Sequence, residues 1–300
     1  MDAEEKPVFV PIPHKKKRVD ISHVMNEDID VKRKRLVEIF KEIPWKTWED
    51  IVREEPEWKF MNLFLNYCSF GPFAVLMVAT GLNDYQLKGK AGKVYWPEVR
   101  RLLEFSPTSN SPRELFNLLE SFYQKEHLNT MKMRRLRRFL DSPLVDKLWK
   151  SSPQEVSAEF LNIWRKLGGT MGQKPEDKTI CFAMKCLGIS LLMMGEYKFD
   201  FTPIPIPVDS RVVIFTQKAG LCANDREQEI RAVWSEILHM LQIYNPNITM
   251  IHLDSLIWQI ATMNDDQLEE YFRNLNVPEI GNNLSTFLQI KSKINPIKRK

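Results

Sequence analysis

A chain of 300 residues, 43% hydrophobic and 27% charged, is long enough for one large or two modest domains with a sizeable core, which excludes a disordered or fibrous protein. Its net charge of +4 is modest, but the basic residues are clustered, so nucleic acid is an expected partner. No apolar run is long enough to cross a bilayer, which argues against a membrane protein, and Cys68, Cys181, Cys186 and Cys222 show neither zinc-site nor iron–sulfur spacing.

The four cysteines therefore read as reduced, mostly buried thiols of an intracellular protein, in which the sequons at Asn247 and Asn283 carry no meaning. Residues 1–30 mix prolines and acids with the run HKKKR, His14 to Arg18, and are expected to form a flexible basic tail. That run reads as a nuclear address, a phosphate-binding arm or a solvated charge cluster. A nuclear location is expected if the source is eukaryotic, and otherwise cytoplasm with the nucleoid.

From 31 to 290 apolar residues recur every three or four positions, with no alternating strand of convincing length, so the expected fold class is all-α. The pattern predicts helices over 32–43, 46–55, 57–80, 96–105, 112–125, 130–140, 154–167, 176–194, 209–219, 225–243, 251–262 and 265–274. Proline or glycine marks the junctions, among them Pro44, Pro56, Gly81, Pro97, Pro112, Pro143, Pro153, Gly168 and Gly195. Residues 291–300 read as a second basic tail.

The stretch MKMRRLRRFL sets Lys132, Arg134, Arg135, Arg137 and Arg138 around a short helix. It reads either as a phosphate-backbone contact or as a basic helix that decorates a surface. Residues 154–194 form one unit, in which an amphipathic helix ending in WRKLGG leads to a turn holding Gly168, Gly169 and Gly172 and then to a second helix. Glycines there let backbone amides approach a phosphate, aided by the dipole of the following helix, which is helix-hairpin-helix logic.

That second helix opens on Lys178 and carries Phe182 and Lys185 on the same face. Next, Pro203, Pro205 and Pro207 force an extended approach to Asp209, a natural N-cap. A cap is a sufficient role for an arbitrary Asp at such a place. Likewise Phe182 and Trp96 are by default core aromatics, and Asp254 with Trp258 is by default a surface acid beside a buried indole.

Taken together, EDKTICFAMK, PIPIPVDSRV and HLDSLIW, in that order, resemble the archaeal-type 8-oxoguanine DNA glycosylases of the helix-hairpin-helix superfamily, over about Ile39 to Met263. The resemblance implies two helical subdomains with the active site in the cleft between them, and a bifunctional glycosylase/AP lyase that flips a base out of double-stranded DNA containing oxidised guanine. It implies Lys178 as nucleophile and Asp209 as its acidic partner. Attack on C1′ needs the free amine, which desolvation, Lys185 and the helix N-terminus would favour.

Matched residue by residue, Phe182 and Trp96 become the walls around the purine, Trp96 following the loop LKGKAGKVY. Asp254 accepts from N1–H and the exocyclic amine, and the Trp258 indole donates to a carbonyl. Lys185 pairs with Asp209 or Asp254, or contacts the base. Gly169, Gly172 and Lys174 fall to the DNA backbone. No cofactor and no metal are expected among the site residues, and a monomer is expected.

Two departures stand out. In REEPEWKF the residue after the proline is Glu57, where the family tends to carry glutamine; it accepts a purine N7–H, shifts the preferred lesion, or simply complements a helix dipole. The hairpin GGTMGQKPED is longer than the compact superfamily form, which leaves open which amides hold phosphate and whether a cation sits on its carbonyls. The competing readings are a related glycosylase with another lesion preference and a non-catalytic helical DNA-binding protein.

Overall fold

Prolines that occupy the first helical turn and polar residues that cap it set where most helices begin. A computed structural model describes residues 21–87, 90–105 and 110–294. HKKKR, the rest of residues 1–20, Lys88 and Gly89 of the loop LKGKAGKVY, and residues 295–300 lie outside the described residues. Among those described there is no strand.

The first helices are α1 (Ile21–Phe40), α2 (Trp45–Arg53), α3 (Pro56–Met61) and α4 (Phe70–Asn83), with a short 3-10 turn at Asn62–Asn66. A π-helical turn at Ala91–Tyr95 leads into α5 (Trp96–Phe105), followed by α6 (Pro112–Tyr123), α7 (Asn129–Leu140) and α8 (Pro143–Trp149). Next come α9 (Pro153–Ala158), α10 (Phe160–Met171), α11 (Lys178–Met193) and α12 (Ser210–Ala219). The chain closes with α13 (Glu227–Gln242), α14 (Met250–Ile260), α15 (Asp265–Asn274) and α16 (Pro278–Ile294).

Several boundaries differ from the periodicity reading, each for a local reason. The expected 57–80 helix is interrupted because the Tyr67 and Cys68 amides close on the Phe64 carbonyl, after which Ser69 turns extended to begin α4. The expected 154–167 helix splits at Glu159, and α9 begins on a Ser152–Glu155 capping box. α1 starts at Ile21, inside the stretch expected to be a tail, and α16 runs past 291 to Ile294.

α8 and α16 were not expected at all. Gly281 in α16 reads as a breaker in one dimension, yet a Cβ there would lie 3.0 Å from Glu269 Cα, so it marks where α15 and α16 touch. Short helices and helix-interior glycines are where tertiary packing overrides local signals.

α4 and α11 form the centre, packed on each other more extensively than any other pair. Their apolar character runs all round, as expected for helices enclosed by others. Gly81 permits the close approach: a Cβ there would meet Cys186 Sγ at 2.8 Å and Ala183 Cα at 3.1 Å. The buried side chains form one continuous cluster from Leu36 to Leu288. All four cysteines are free, with Cys181 and Cys186 buried and Cys68 and Cys222 half-buried.

At the N-terminus of α4, a Cβ on Gly71 would sit 2.1 Å from the Trp149 carbonyl oxygen, against backbone that cannot move aside. Gly169, inside α10, has no atom within 4 Å of such a Cβ. Gly71→Ala should therefore destabilise by about 1–3 kcal/mol through overpacking. Gly169→Ala should stabilise by up to about 1 kcal/mol through helix propensity. Thermal unfolding of the two variants checks the opposite signs.

Candidate active site

A cavity of about 380 Å³ opens where α3, α11, α12 and α14 meet the end of α4. Lys178, Phe182, Asp209, Glu57, Asp254 and Trp258 all line it, which brings six of the expected residues to one hollow. They reach it from helix starts and helix faces whose spacing is local, while the hollow itself is tertiary.

Asp209 caps α12: its Oδ1 accepts from the Arg211 and Val212 amides, both at 2.9 Å. The proline-rich approach leaves Asp209 extended, so the side chain folds back over the first turn. Arg211, which the sequence reading passed over, links the two sides of the hollow. Its guanidinium stacks 3.9 Å from the Trp258 ring centroid and donates to the Trp258 carbonyl at 2.7 Å. The indole is thereby held at one face, an attraction worth about 0.5–2 kcal/mol.

Lys178 is the first residue of α11 and is exposed at the cavity rim, so burial does not desolvate it in the free protein as the sequence reading expected. Lys185, two turns on, is buried. Its Nζ donates to Asp254 Oδ2 at 2.6 Å and pairs with Glu55 Oε2 at 3.3 Å, so of the partners considered it takes Asp254 and not Asp209. It also stands 5.9 Å from the Phe182 ring centroid. Burial works against the Lys185 ammonium, but Asp254, Glu55 and Glu57 outweigh it and hold its pKa above the ordinary lysine value.

The acids are shifted upward as well, which for them favours the neutral form. Burial pushes Asp254 up to about 6 despite the pull of Lys185. Burial, reinforced by Glu55 and Asp84, drives Glu57 well above the usual carboxylate range, and its Oε2 has no hydrogen-bond partner. Asp84, at the end of α4, lines the same cavity and is pushed up to about 6 by burial, against a hydrogen bond from Trp96 and the charges of Lys132, Lys178 and Lys185. Glu55 and Asp84 have no local sequence signal; only the fold shows them.

Trp96 departs from the expectation. It is fully buried, is not among the cavity-lining residues, and its indole N–H donates to Asp84 Oδ2 at 2.8 Å. Ala91, which opens the π turn before it, and Leu87 upstream line the cavity wall, while Trp96 lies in the core. A π turn is invisible to period-based reading. A Cβ on Gly92 in that turn would sit 3.0 Å from the Pro56 ring, so the turn packs closely against the start of α3.

The hairpin also differs. Gly168 and Gly169 belong to α10, and only Gly172, with φ of 62°, is in the turn. The Gln173 amide bonds the Gly168 carbonyl at 2.9 Å and the Gly172 amide bonds Gly169 at 3.1 Å, a Schellman closure. The Lys174 amide is taken by Asp177 at 3.2 Å, and Arg138 Nε meets the Thr170 carbonyl at 2.7 Å. The amides of Gly172 and Lys174 are thus already used within the protein, and Gly169 is helical, so none is a spare phosphate donor in this state; the exposed Lys174 side chain is what remains.

Of the α7 cations, Lys132 is buried and pairs with Glu126 at 3.1 Å. Arg135 stitches the hairpin, reaching Leu82, Gln173 and Thr179. Arg134 and Arg137 are the exposed ones, alongside Arg138.

Residues 37–289 match the AGOG family of N-glycosylase/DNA lyases, and the chain belongs to that family. It is a DNA N-glycosylase with DNA lyase activity. An N-glycosylase/DNA lyase of Nanoarchaeum equitans is 28% identical over 207 residues, 67% of this chain and 82% of that protein. The Thermococcus kodakarensis N-glycosylase/DNA lyase is 25% identical over 252 residues, 81% of this chain and 88% of its own. The fold matches a crystal structure of an 8-oxoguanine DNA glycosylase from Pyrobaculum aerophilum complexed with 8-oxoguanosine, at a TM-score of 0.67 and 17% identity, covering 87% of this chain and 96% of that one.

Because folded Asp84 holds its proton more tightly than an unfolded aspartate does, its contribution to stability falls as pH rises from about 4 through about 6. Asp84→Asn keeps an acceptor for Trp96 and removes that loss. It should match the wild type near pH ~4 and exceed it by up to about 2–3 kcal/mol near pH ~7, read by urea unfolding at the two pH values. Trp96→Ala should instead cost about 3–5 kcal/mol at any pH, as a core deletion rather than a lost stacking wall.

Proposed function

We propose that the protein excises 8-oxoguanine from double-stranded DNA through a Schiff base on Lys178 and then cuts the strand by β-elimination. The observation that carries this reading is that Lys178 and Asp209, each opening its own helix, line one cavity with Phe182, Asp254 and Trp258. A purine everted from the duplex would enter that hollow, since chemistry at its glycosidic bond needs the base out of the stack.

In this scheme the Lys178 amine attacks C1′ as the glycosidic bond breaks, and the departing base takes the bonding pair and a proton. The amine loses its protons as the sugar ring opens to an imine. Loss of a C2′ proton then expels the 3′ phosphate. Lys178 must be uncharged to begin, and DNA closing over the exposed rim supplies the desolvation that the free protein lacks.

Asp209 keeps Oδ1 on the α12 amides and turns Oδ2 toward the sugar, where it stabilises the positive charge that develops. Phe182 offers a flat face to the base. Asp254 accepts from the purine N1–H, which adenine does not carry. Trp258 donates to a carbonyl.

Borohydride trapping on duplexes with 8-oxoguanine, other lesions or an abasic site should give a covalent adduct with wild type and none with Lys178→Gln. Asp209→Asn retains a capping oxygen, so DNA binding and folding should hold while base release slows by about 10²-fold or more. Retained DNA binding with no adduct on any duplex would instead mark a binding protein. Equal losses of binding and turnover in Asp209→Asn would reduce Asp209 to a cap.

A further inference from the structure

Exposed arginines elsewhere on the surface, such as Arg53, Arg100, Arg101 and Arg226, each hold a carboxylate three or four residues away. α7 differs. Two of its five cations are absorbed by the fold, Lys132 by Glu126 and Arg135 by Leu82, Gln173 and Thr179. The other three, Arg134, Arg137 and Arg138, are exposed, share one helix face at i, i+3 and i+4, and border a surface depression of about 500 Å³. Among the described residues no carboxylate forms an ion pair with any of them.

The charge is concentrated where repulsion opposes it. Arg137 of α7 and Arg113 of α6 stand over the same Phe116 ring, 5.3 Å and 5.5 Å from its centroid, with no ion-pair partner for either among the described residues. Like charges held this way are relieved by an anion bound from outside. Arg138 carries the face to the hairpin. Its Nε donates to the Thr170 carbonyl at 2.7 Å, and its terminal nitrogens lie over the turn, where a Cβ on Gly172 would meet them at 2.8 Å and 3.1 Å. The same helix is tied to the cavity mouth, since Arg135 donates to Thr179, the residue after Lys178, at 3.1 Å.

We propose that this α7 face, extended by Arg113, grips the phosphate backbone of duplex DNA beside the nucleotide that enters the cavity. The inference rests on the reading that the protein acts on double-stranded DNA. A duplex carries one negative charge per ~1.7 Å of its axis, and an arginine fork binds two phosphate oxygens at once. The Gly172 and Lys174 amides are bonded within the protein, so guanidiniums supply the donors on the hairpin side of the mouth. Contacts of this kind add affinity and register without telling one base from another.

The test measures binding to duplexes with 8-oxoguanine or guanine, in a Lys178→Gln background that halts chemistry, from about 50 to about 200 mM salt. Arg134→Gln with Arg137→Gln should lower the slope of log affinity against log salt by about 2. Its loss of affinity should therefore shrink about tenfold between the two salt concentrations and be equal for the two duplexes. With Lys178 intact, the borohydride adduct formed at saturating enzyme should not change. Arg134→Lys with Arg137→Lys, which keeps both charges, should retain the slope. Lys147→Gln with Arg226→Gln, which removes two paired cations elsewhere, should leave it unaltered.

An unchanged slope in the Arg134 and Arg137 glutamine variant overturns the proposal. An equal fall in the Lys147 and Arg226 variant does so too, because it shows net charge rather than a local contact. A loss confined to the 8-oxoguanine duplex also overturns it. Equal affinity of the Lys178→Gln protein for the two duplexes, with the slope change intact, removes the lesion reading and leaves the backbone contact standing. Binding to neither duplex removes the DNA reading and the proposal together. Should the double glutamine variant not fold, Arg134→Gln alone decides by a slope change of about 1, since Arg134 is exposed and anchors no neighbour.

Discussion

One buried ammonium, that of Lys185, sets the geometry of the site. It joins α11 to α14 through Asp254 and to the segment before α3 through Glu55, three positions far apart in the chain. Leaving a buried charge without its partner costs about 3–5 kcal/mol, so the three segments cannot slide independently. Phe182 lies one turn before Lys185, and Trp258 one turn after Asp254. Fixing the ion pairs therefore delivers both aromatic faces to one hollow.

Around that anchor, Lys178 and Asp209 sit at helix starts. Lys178 opens α11 at the rim, where solvent reaches it, and Asp209 is locked to the first turn of α12 by two amide bonds. Arg211 spans the gap, with its amide on Asp209 and its guanidinium on Trp258. The hairpin, by contrast, satisfies its own amides through the Schellman closure and Asp177. It leads directly into α11, and Lys174, Arg134 and Arg137 are exposed cations on the hairpin and on α7.

Much of this was legible in one dimension. Periodicity located most helices, because an amphipathic stripe is a local property. Three ordered motifs pointed to Lys178, Asp209, Phe182, Asp254 and Trp258, whose spacing along helices fixes shared faces. Trp96 lies in the core, bonded to Asp84 and following a π turn that periodicity does not reveal, and Gly168 and Gly169 belong to a helix because glycines also serve helix interiors. Asp84, Glu55 and Arg211 escaped notice since nothing near them in sequence says what they face.

The amino-acid sequence by itself determined the helical class, the residues that begin α11 and α12, and which side chains share a face, since each follows from backbone periodicity and capping within a few residues. Tertiary structure alone decided which of those groups are buried, which carboxyls share the Lys185 ammonium, and which aromatic walls the hollow. Burial and charge pairing depend on segments that are remote along the chain, and only their packing sets the solvation and the electrostatic partners of each group.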